Sequence, residues 1–162
     1  MDRYQRSEMG YAMIQATRPQ TLGYALADSP VGQAMWIYEK FQTWTDCNGD
    51  PESVLTRDEI LDDVMLYWLT NAATSSARLY WESLFRLPKI TNVDLAVGFS
   101  VFPKELFLSP RHWAEETFTN ITYWNELERG GHFAALEQPE LFVHELRECF
   151  RPFRRQHDRP VG

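Results

Sequence analysis

Cysteine is scarce in this chain. Cys47 and Cys149 are the only two in 162 residues. They lie far apart, without the spacing of a metal-binding motif, and read as thiols of a reduced, cytoplasmic protein. Positive charge is also short: 16 Lys and Arg stand against 23 Asp and Glu, for a formal net charge of -7. Nucleic acid is recognised through a basic face, so that class of partner is excluded. The one basic cluster, Arg151 to Arg159, reads as a solvated tail. Long apolar runs are missing, and so is a leader segment, so no membrane-spanning or translocated segment is expected. There are no internal repeats and no low-complexity stretches.

Aromatic residues are plentiful. Trp, Tyr and Phe make up 14% of the chain. Such a load favours a large apolar core or pocket over disorder. The length suits one domain with a real core.

The pattern along the chain has two parts. Residues up to about Pro88 read as helical. Tyr4 to Thr17 is an opening segment of mixed signals that ends at Arg18-Pro19. Ser29-Pro30 starts a helix, with Ser29 as cap and Pro30 in the first turn. Val31, Met35, Tyr38 and Phe41 then share one face. Asn48-Gly49-Asp50-Pro51 breaks the chain. Thr56 to Glu59 forms a capping box, hydroxyl first and carboxylate three residues on. Ile60, Leu61, Val64 and Trp68 supply the next stripe. A further helix runs from Thr74 to Phe85 and is closed by Leu87-Pro88.

The character changes after Asn92. Val93, Leu95, Val97 and Phe99 alternate as in a strand. A helix is expected over His112 to Thr117 and a second strand from Ile121 to Leu127. A closing helix beginning near Pro139 carries Phe142, Leu146, Cys149, Phe150 and Phe153 on its apolar face. Strand, helix, strand, helix is an α/β pattern with a parallel sheet. Two strands do not make a stable sheet alone. The remaining strands are therefore expected upstream of Met1.

The stretch with most chemical promise is Arg129-Gly130-Gly131-His132-Phe133-Ala134-Ala135. The glycines permit a sharp turn after the second strand and lift an imidazole out of the core. A histidine on a loop at the C-terminal end of a strand is where α/β enzymes keep a base. The alternative is a turn histidine without a role. Glu105, just past the first strand, precedes His132 by one strand-helix-strand excursion. An acid followed by a histidine fits the order found in α/β-hydrolases, with the carboxylate holding the imidazole's tautomer. The alternative there is a solvated glutamate. Tyr11 and Tyr80 lie in the helical part. A phenol at its ordinary pKa can give a proton to a developing alkoxide. Locally, nothing separates Tyr80 from Tyr67 or Tyr38 as half-buried helix aromatics.

Several ordered blocks resemble a known family. They are Gly10 through Thr21, Leu26 through Gly32, Glu39-Lys40-Phe41, Leu66 through Thr70, Phe99 through Glu105 and Arg129 through Glu140. Together they are similar to the microsomal-type epoxide hydrolases of the α/β-hydrolase fold, over roughly Arg6 to Phe153. The resemblance implies an α/β chain made of a partial α/β-hydrolase fold. Residues 1–88 would be a helical cap and 89–162 the C-terminal strand-helix-strand-helix of the core. It also implies roles: Tyr11 and Tyr80 hydrogen-bond the epoxide oxygen, Glu105 is the acid of the charge-relay pair, and His132 is the base. An aspartate would form an ester with the epoxide, and water activated by His132 and Glu105 would hydrolyse it to a diol. The implied substrate is a small apolar epoxide, with no metal and no organic cofactor.

The sequence departs from the family in two respects. No aspartate occupies a glycine-flanked strand-to-helix elbow, and no His-Gly-Trp-Pro type turn occurs. The expectation is therefore the C-terminal part of such an enzyme, truncated or split and inactive alone, whose partner is an N-terminal half or another copy of the chain. Alternatives are a dehalogenase or ester hydrolase of the same fold, or a non-catalytic interaction fragment.

Overall fold

The computed structural model describes residues 4–86, 88 and 90–154. The chain divides into two compact units: Met1–Thr43 with Cys47–Lys89, and Trp44–Asp46 with Ile90–Gly162.

The first unit is helical. A π-type turn over Tyr4–Glu8 leads into α1 (Gly10–Thr17), and Arg18 links it to α2 (Pro19–Asp28). The mixed opening segment is thus helical throughout, because Met9 N–H donates to the Tyr4 carbonyl at 3.0 Å and carries the turn forward. In α3 (Pro30–Trp44) the expected cap is present: Gly32 N–H donates to Ser29 Oγ at 3.0 Å. A short turn over Pro51–Ser53 follows the Asn48–Pro51 break. Helix α4 (Arg57–Leu69) begins with both bonds of its capping box, between Thr56 and Glu59. Helix α5 (Ala73–Ser83) completes the unit. Leu87, one half of the expected helix stop, lies outside the described residues.

Small side chains decide how these helices meet. Ala12 and Ala16 of α1 and Ala73 and Ala77 of α5 are all buried, and α5 packs against both α1 and α2. Alanines at helical spacing let two backbones approach closely. At Gly23 of α2 the approach is closer still, since a Cβ there would lie 1.9 Å from Thr74 Oγ1. Leu22, Leu26 and Ala73 form the apolar centre, with Trp36 against them.

Two predicted faces need correction. In α3, Val31 is 69% and Met35 55% exposed, while Gln33 and Phe41 are buried. In α4, Ile60 and Val64 are buried but Leu61 is exposed. Helical spacing marks a stripe, but neighbouring helices cover only part of it.

The second unit holds two parallel strands, β1 (Val97–Val101) and β2 (Ile121–Glu126), joined through α6 (Arg111–Glu115). Parallel neighbours require such a crossover. The register runs from Val97 opposite Ile121 to Val101 opposite Glu126, with an irregularity between Val97 and Gly98. The first strand starts later than its alternation suggested. Val93 makes only an isolated bridge to Phe118, and Leu95 is exposed. A second isolated bridge, Lys104 to Gly131, continues the parallel pairing beyond the strand ends.

After β2 come a short helix, α7 (Ala134–Glu137), absent from the sequence expectation, and α8 (Pro139–Arg154). The face of α8 also differs from expectation. Leu146, Phe150 and Phe153 are exposed, and the helix's buried residue is Glu145. Its carboxylate accepts hydrogen bonds from Ser100 Oγ, Tyr123 OH and Asn125 Nδ2, each at 2.9 Å. Cys149 closes the same contact: a Cβ on Gly98 would fall 2.3 Å from its Sγ. A buried carboxylate surrounded by donors from both strands thus ties α8 to the sheet. Of the basic cluster, residues beyond Arg154 lie outside the described part. No described helix is long and apolar enough to cross a membrane.

Candidate active site

In the first unit, the α1–α5 contact brings Tyr11 and Tyr80 together. Tyr11 precedes the buried Ala12, and Tyr80 lies one turn after the buried Ala77. Their rings meet edge to face, with centroids 5.8 Å apart and an interplanar angle of 77°. Two neighbours were not anticipated. Tyr4 places its hydroxyl 3.4 Å from that of Tyr11, and the Lys40 ammonium sits 4.6 Å from the Tyr11 ring centroid. Burial, then the Tyr4 hydrogen bond and the charge of Tyr80 alongside, push the Tyr11 phenol well above the ordinary tyrosine range. This corrects the assumption of an ordinary pKa. Tyr11 stays neutral and hydrogen-bearing over any working pH, and an alkoxide is still basic enough to take its proton. Burial also raises Tyr67, with Asp63 and Tyr80 as further causes. What distinguishes Tyr80 from Tyr67 and Tyr38 is therefore its place beside Tyr11, a property of helix packing.

The second unit pairs His132 with Glu105. His132 Nδ1 lies 2.8 Å from Glu105 Oε1. Backbone pairing beyond the strand ends places the two residues. Lys104 N–H donates to the Gly130 carbonyl at 3.1 Å, which sets the turn bearing Glu105 beside the glycine turn bearing His132. Gly130 takes φ +106°, a left-handed conformation open to glycine at little cost. Glu105 Oε1 also accepts the Leu106 N–H at 2.6 Å. The imidazole is held edge-on by two rings, Trp44 at 5.2 Å and Phe133 at 5.1 Å between centroids.

The chemistry of the pair follows from its geometry. An acceptor on Nδ1 selects the tautomer whose Nε2 keeps a free lone pair. Such a ring can take a proton from water, and the carboxylate stabilises the imidazolium that results. His132 and Glu105 side chains are 38% and 34% exposed. Their attraction is solvent-screened, so orientation matters more here than pairing energy.

The turn that carries His132 is supported by residues the sequence did not single out. His132 N–H donates to the Trp44 carbonyl at 2.8 Å, and Gly130 N–H to Asp46 Oδ2 at 3.0 Å. The buried Glu137 carboxylate accepts N–H groups from Asp46, Gly131 and Phe133. The available signal was a carboxylate in the first turn of a helix directly after Gly-Gly-His. Among the described residues no group of His, Cys, Asp and Glu is arranged to hold a metal ion.

Comparison with known proteins finds relatives named epoxide hydrolase. No protein-family model matches the chain. A Stigmatella aurantiaca (strain DW4/3-1) protein whose name contains "epoxide hydrolase" is 64% identical over 90% of this chain. Epoxide hydrolase 1 of Sus scrofa is 40% identical over 87% of it. The crystal structure of the juvenile hormone epoxide hydrolase of the silkworm Bombyx mori superposes with a TM-score of 0.85 at 34% identity, over 93% of this chain and 41% of that one. The chain matches the C-terminal part of proteins named epoxide hydrolase. It has the fold of the C-terminal part of these α/β-hydrolases. It spans about a third of the length of its curated relatives, 33% and 34% for the two above.

Proposed function

We propose that these residues carry part of an epoxide hydrolase reaction, in which an epoxide and water yield a vicinal diol. The helical first unit is the cap, which binds the epoxide oxygen through Tyr11 and Tyr80. The second unit is core, and His132 with Glu105 activates the hydrolytic water. The observation that carries this reading is the 2.8 Å contact between His132 Nδ1 and Glu105 Oε1. It is the arrangement a general base requires, with the acid on one ring nitrogen and the other nitrogen left to accept a proton.

The reaction balances in two steps. An aspartate oxygen attacks an epoxide carbon, the carbon–oxygen bond opens, and the alkoxide takes a phenol proton. Water then adds to the ester carbonyl while its proton passes to His132 Nε2. Collapse releases the diol, which collects the imidazolium proton. The aspartic acid left behind restores the phenol. No aspartate of this sequence stands in a glycine-flanked elbow, so the nucleophile comes from outside these 162 residues. A second copy would bring the same aspartates. The partner is therefore an N-terminal half that carries the elbow and an oxyanion turn. The substrate is a small apolar epoxide, matched to the aromatic content of the helical unit. Cys47 and Cys149, both free thiols, support a cytoplasmic setting.

Mixing the chain with such an N-terminal half is expected to convert a styrene-oxide-like probe to its diol. The chain alone is expected to give none. With His132→Gln in the mixture, the probe stays on the aspartate-bearing piece as an ester, read as a mass increase. Diol from the chain alone, or none from the mixture, overturns the proposal.

A further inference from the structure

We propose that Glu137 is a positioning residue for the base: its buried carboxylate sets the backbone of the Gly130–Phe133 turn so that His132 Nδ1 meets Glu105. The inference rests on reading His132 as the base. Glu137 touches neither the imidazole nor Glu105 by any described hydrogen bond. It acts through the main chain alone.

All four backbone N–H groups of the turn are taken up. Gly130 donates to Asp46 Oδ2 at 3.0 Å, Gly131 to Glu137 Oε2 at 3.0 Å, His132 to the Trp44 carbonyl at 2.8 Å and Phe133 to Glu137 Oε1 at 3.0 Å. Glu137 Oε2 also accepts Asp46 N–H at 2.7 Å. One carboxylate therefore spans three segments: the Trp44–Asp46 stretch, the glycine turn, and the start of α7, where it accepts the N–H of Phe133, four residues before it. Glu137 is 6% exposed and makes no ion pair among the described residues. Backbone donors stand where a cation would otherwise be needed. Gly131 shows how tight the fit is. A Cβ there would lie 2.5 Å from the Trp44 carbonyl oxygen and 3.1 Å from Glu137 Oε1.

The requirement is for a carboxylate rather than any polar group. Both Glu137 oxygens accept, and Oε2 accepts twice. A glutamine offers one oxygen and one NH2, so at least one backbone N–H would face another donor. An unmade bond of this kind in a buried site is costly enough to shift the turn. A shift of well under 1 Å suffices to spoil a hydrogen bond of ordinary length.

The test reads the imidazole tautomer in the chain labelled with ¹⁵N-histidine, with the His132 signals assigned by their loss in His132→Gln. In the unchanged chain, neutral His132 carries its proton on Nδ1. Glu137→Gln is expected to lose that signature and revert toward the Nε2–H form that free histidine prefers. Glu145→Gln is the control. It disturbs a buried carboxylate with as many donors in the same unit, and is expected to leave the His132 tautomer unchanged. An intact Nδ1–H signature in folded Glu137→Gln overturns the proposal, as does equal loss in both variants. Should Glu137→Gln fail to fold, amide exchange in the unchanged chain decides. The Asp46, Gly131 and Phe133 amides then exchange as slowly as those of β1 and β2, whereas loop-like exchange overturns the proposal. A failure of the epoxide reading shows instead as absent diol with the N-terminal half present, and leaves these spectra as they are.

Discussion

The two units place their reactive groups in opposite ways. The first holds its phenols on rigid helices, where alanines on α1 and α5 press Tyr11 against Tyr80 and burial keeps the Tyr11 proton in place. The second holds its imidazole on a loop, half exposed and steered through backbone hydrogen bonds and one carboxylate. Under the proposed function the contrast matches two chemical tasks. A donor to a developing alkoxide must be neutral and fixed, and burial serves that end. A base must gain and lose a proton each turnover, so it needs orientation without full desolvation.

The strongest test of this contrast is His132→Gln in the complemented enzyme. Diol release should fall by about 10³-fold, within the range for loss of a general base, while ester formation is little affected. Single-turnover measurement separates the two steps. Equal loss in both would break the division between the units.

Tyr11→Phe comes next. It should slow ester formation by about 10²-fold, the scale of one lost donor at a developing oxyanion, and leave ester hydrolysis nearly unchanged. Tyr80→Phe should act on the same step. An effect of either on hydrolysis alone would mean the phenols serve the water and not the epoxide oxygen.

Thr56→Ala sharpens the comparison from the structural side. It removes the hydroxyl that accepts from Glu59 N–H, and should cost about 1 kcal/mol in denaturant unfolding with no change at His132.

The smallest effect expected is a pH dependence in the second unit. Burial, then the hydrogen bond to Glu145, push the Tyr123 phenol up to about 12. The folded state thus holds this proton more tightly than the unfolded chain, where tyrosine titrates near 10. The associated stability is complete below pH ~10 and declines as pH rises from ~10 to ~12. Unfolding followed across that range should show a shallower slope in Tyr123→Phe than in the parent, the remainder coming from the raised Tyr11 and Tyr67.

Local signals were legible wherever a bond closes within a few residues. Both halves of the Thr56–Glu59 capping box and the Ser29 cap were readable for that reason. The Gly130–Gly131 turn was legible because so few residues tolerate φ +106°. The α8 face was misread because its stripe of Leu146, Phe150 and Phe153 carries no information about which residue meets a strand. Of the predicted face, Cys149 does meet the sheet, opposite a glycine, and the unforeseen contact is that of Glu145, which finds donors on both β1 and β2.

From residue order alone came the change from helical to α/β pattern, the turn that displays His132, and the acid-before-histidine sequence. Helical and strand periods, and the backbone freedom of glycine, act over only a few positions, so a linear reading reaches them. The pairing of Tyr11 with Tyr80, the 2.8 Å approach of Glu105 to His132, and the donors gathered by Glu137 were settled by folding. Each joins segments brought side by side by helix packing or parallel pairing, and hydrogen bonds and ring contacts depend on distances that residue order does not encode.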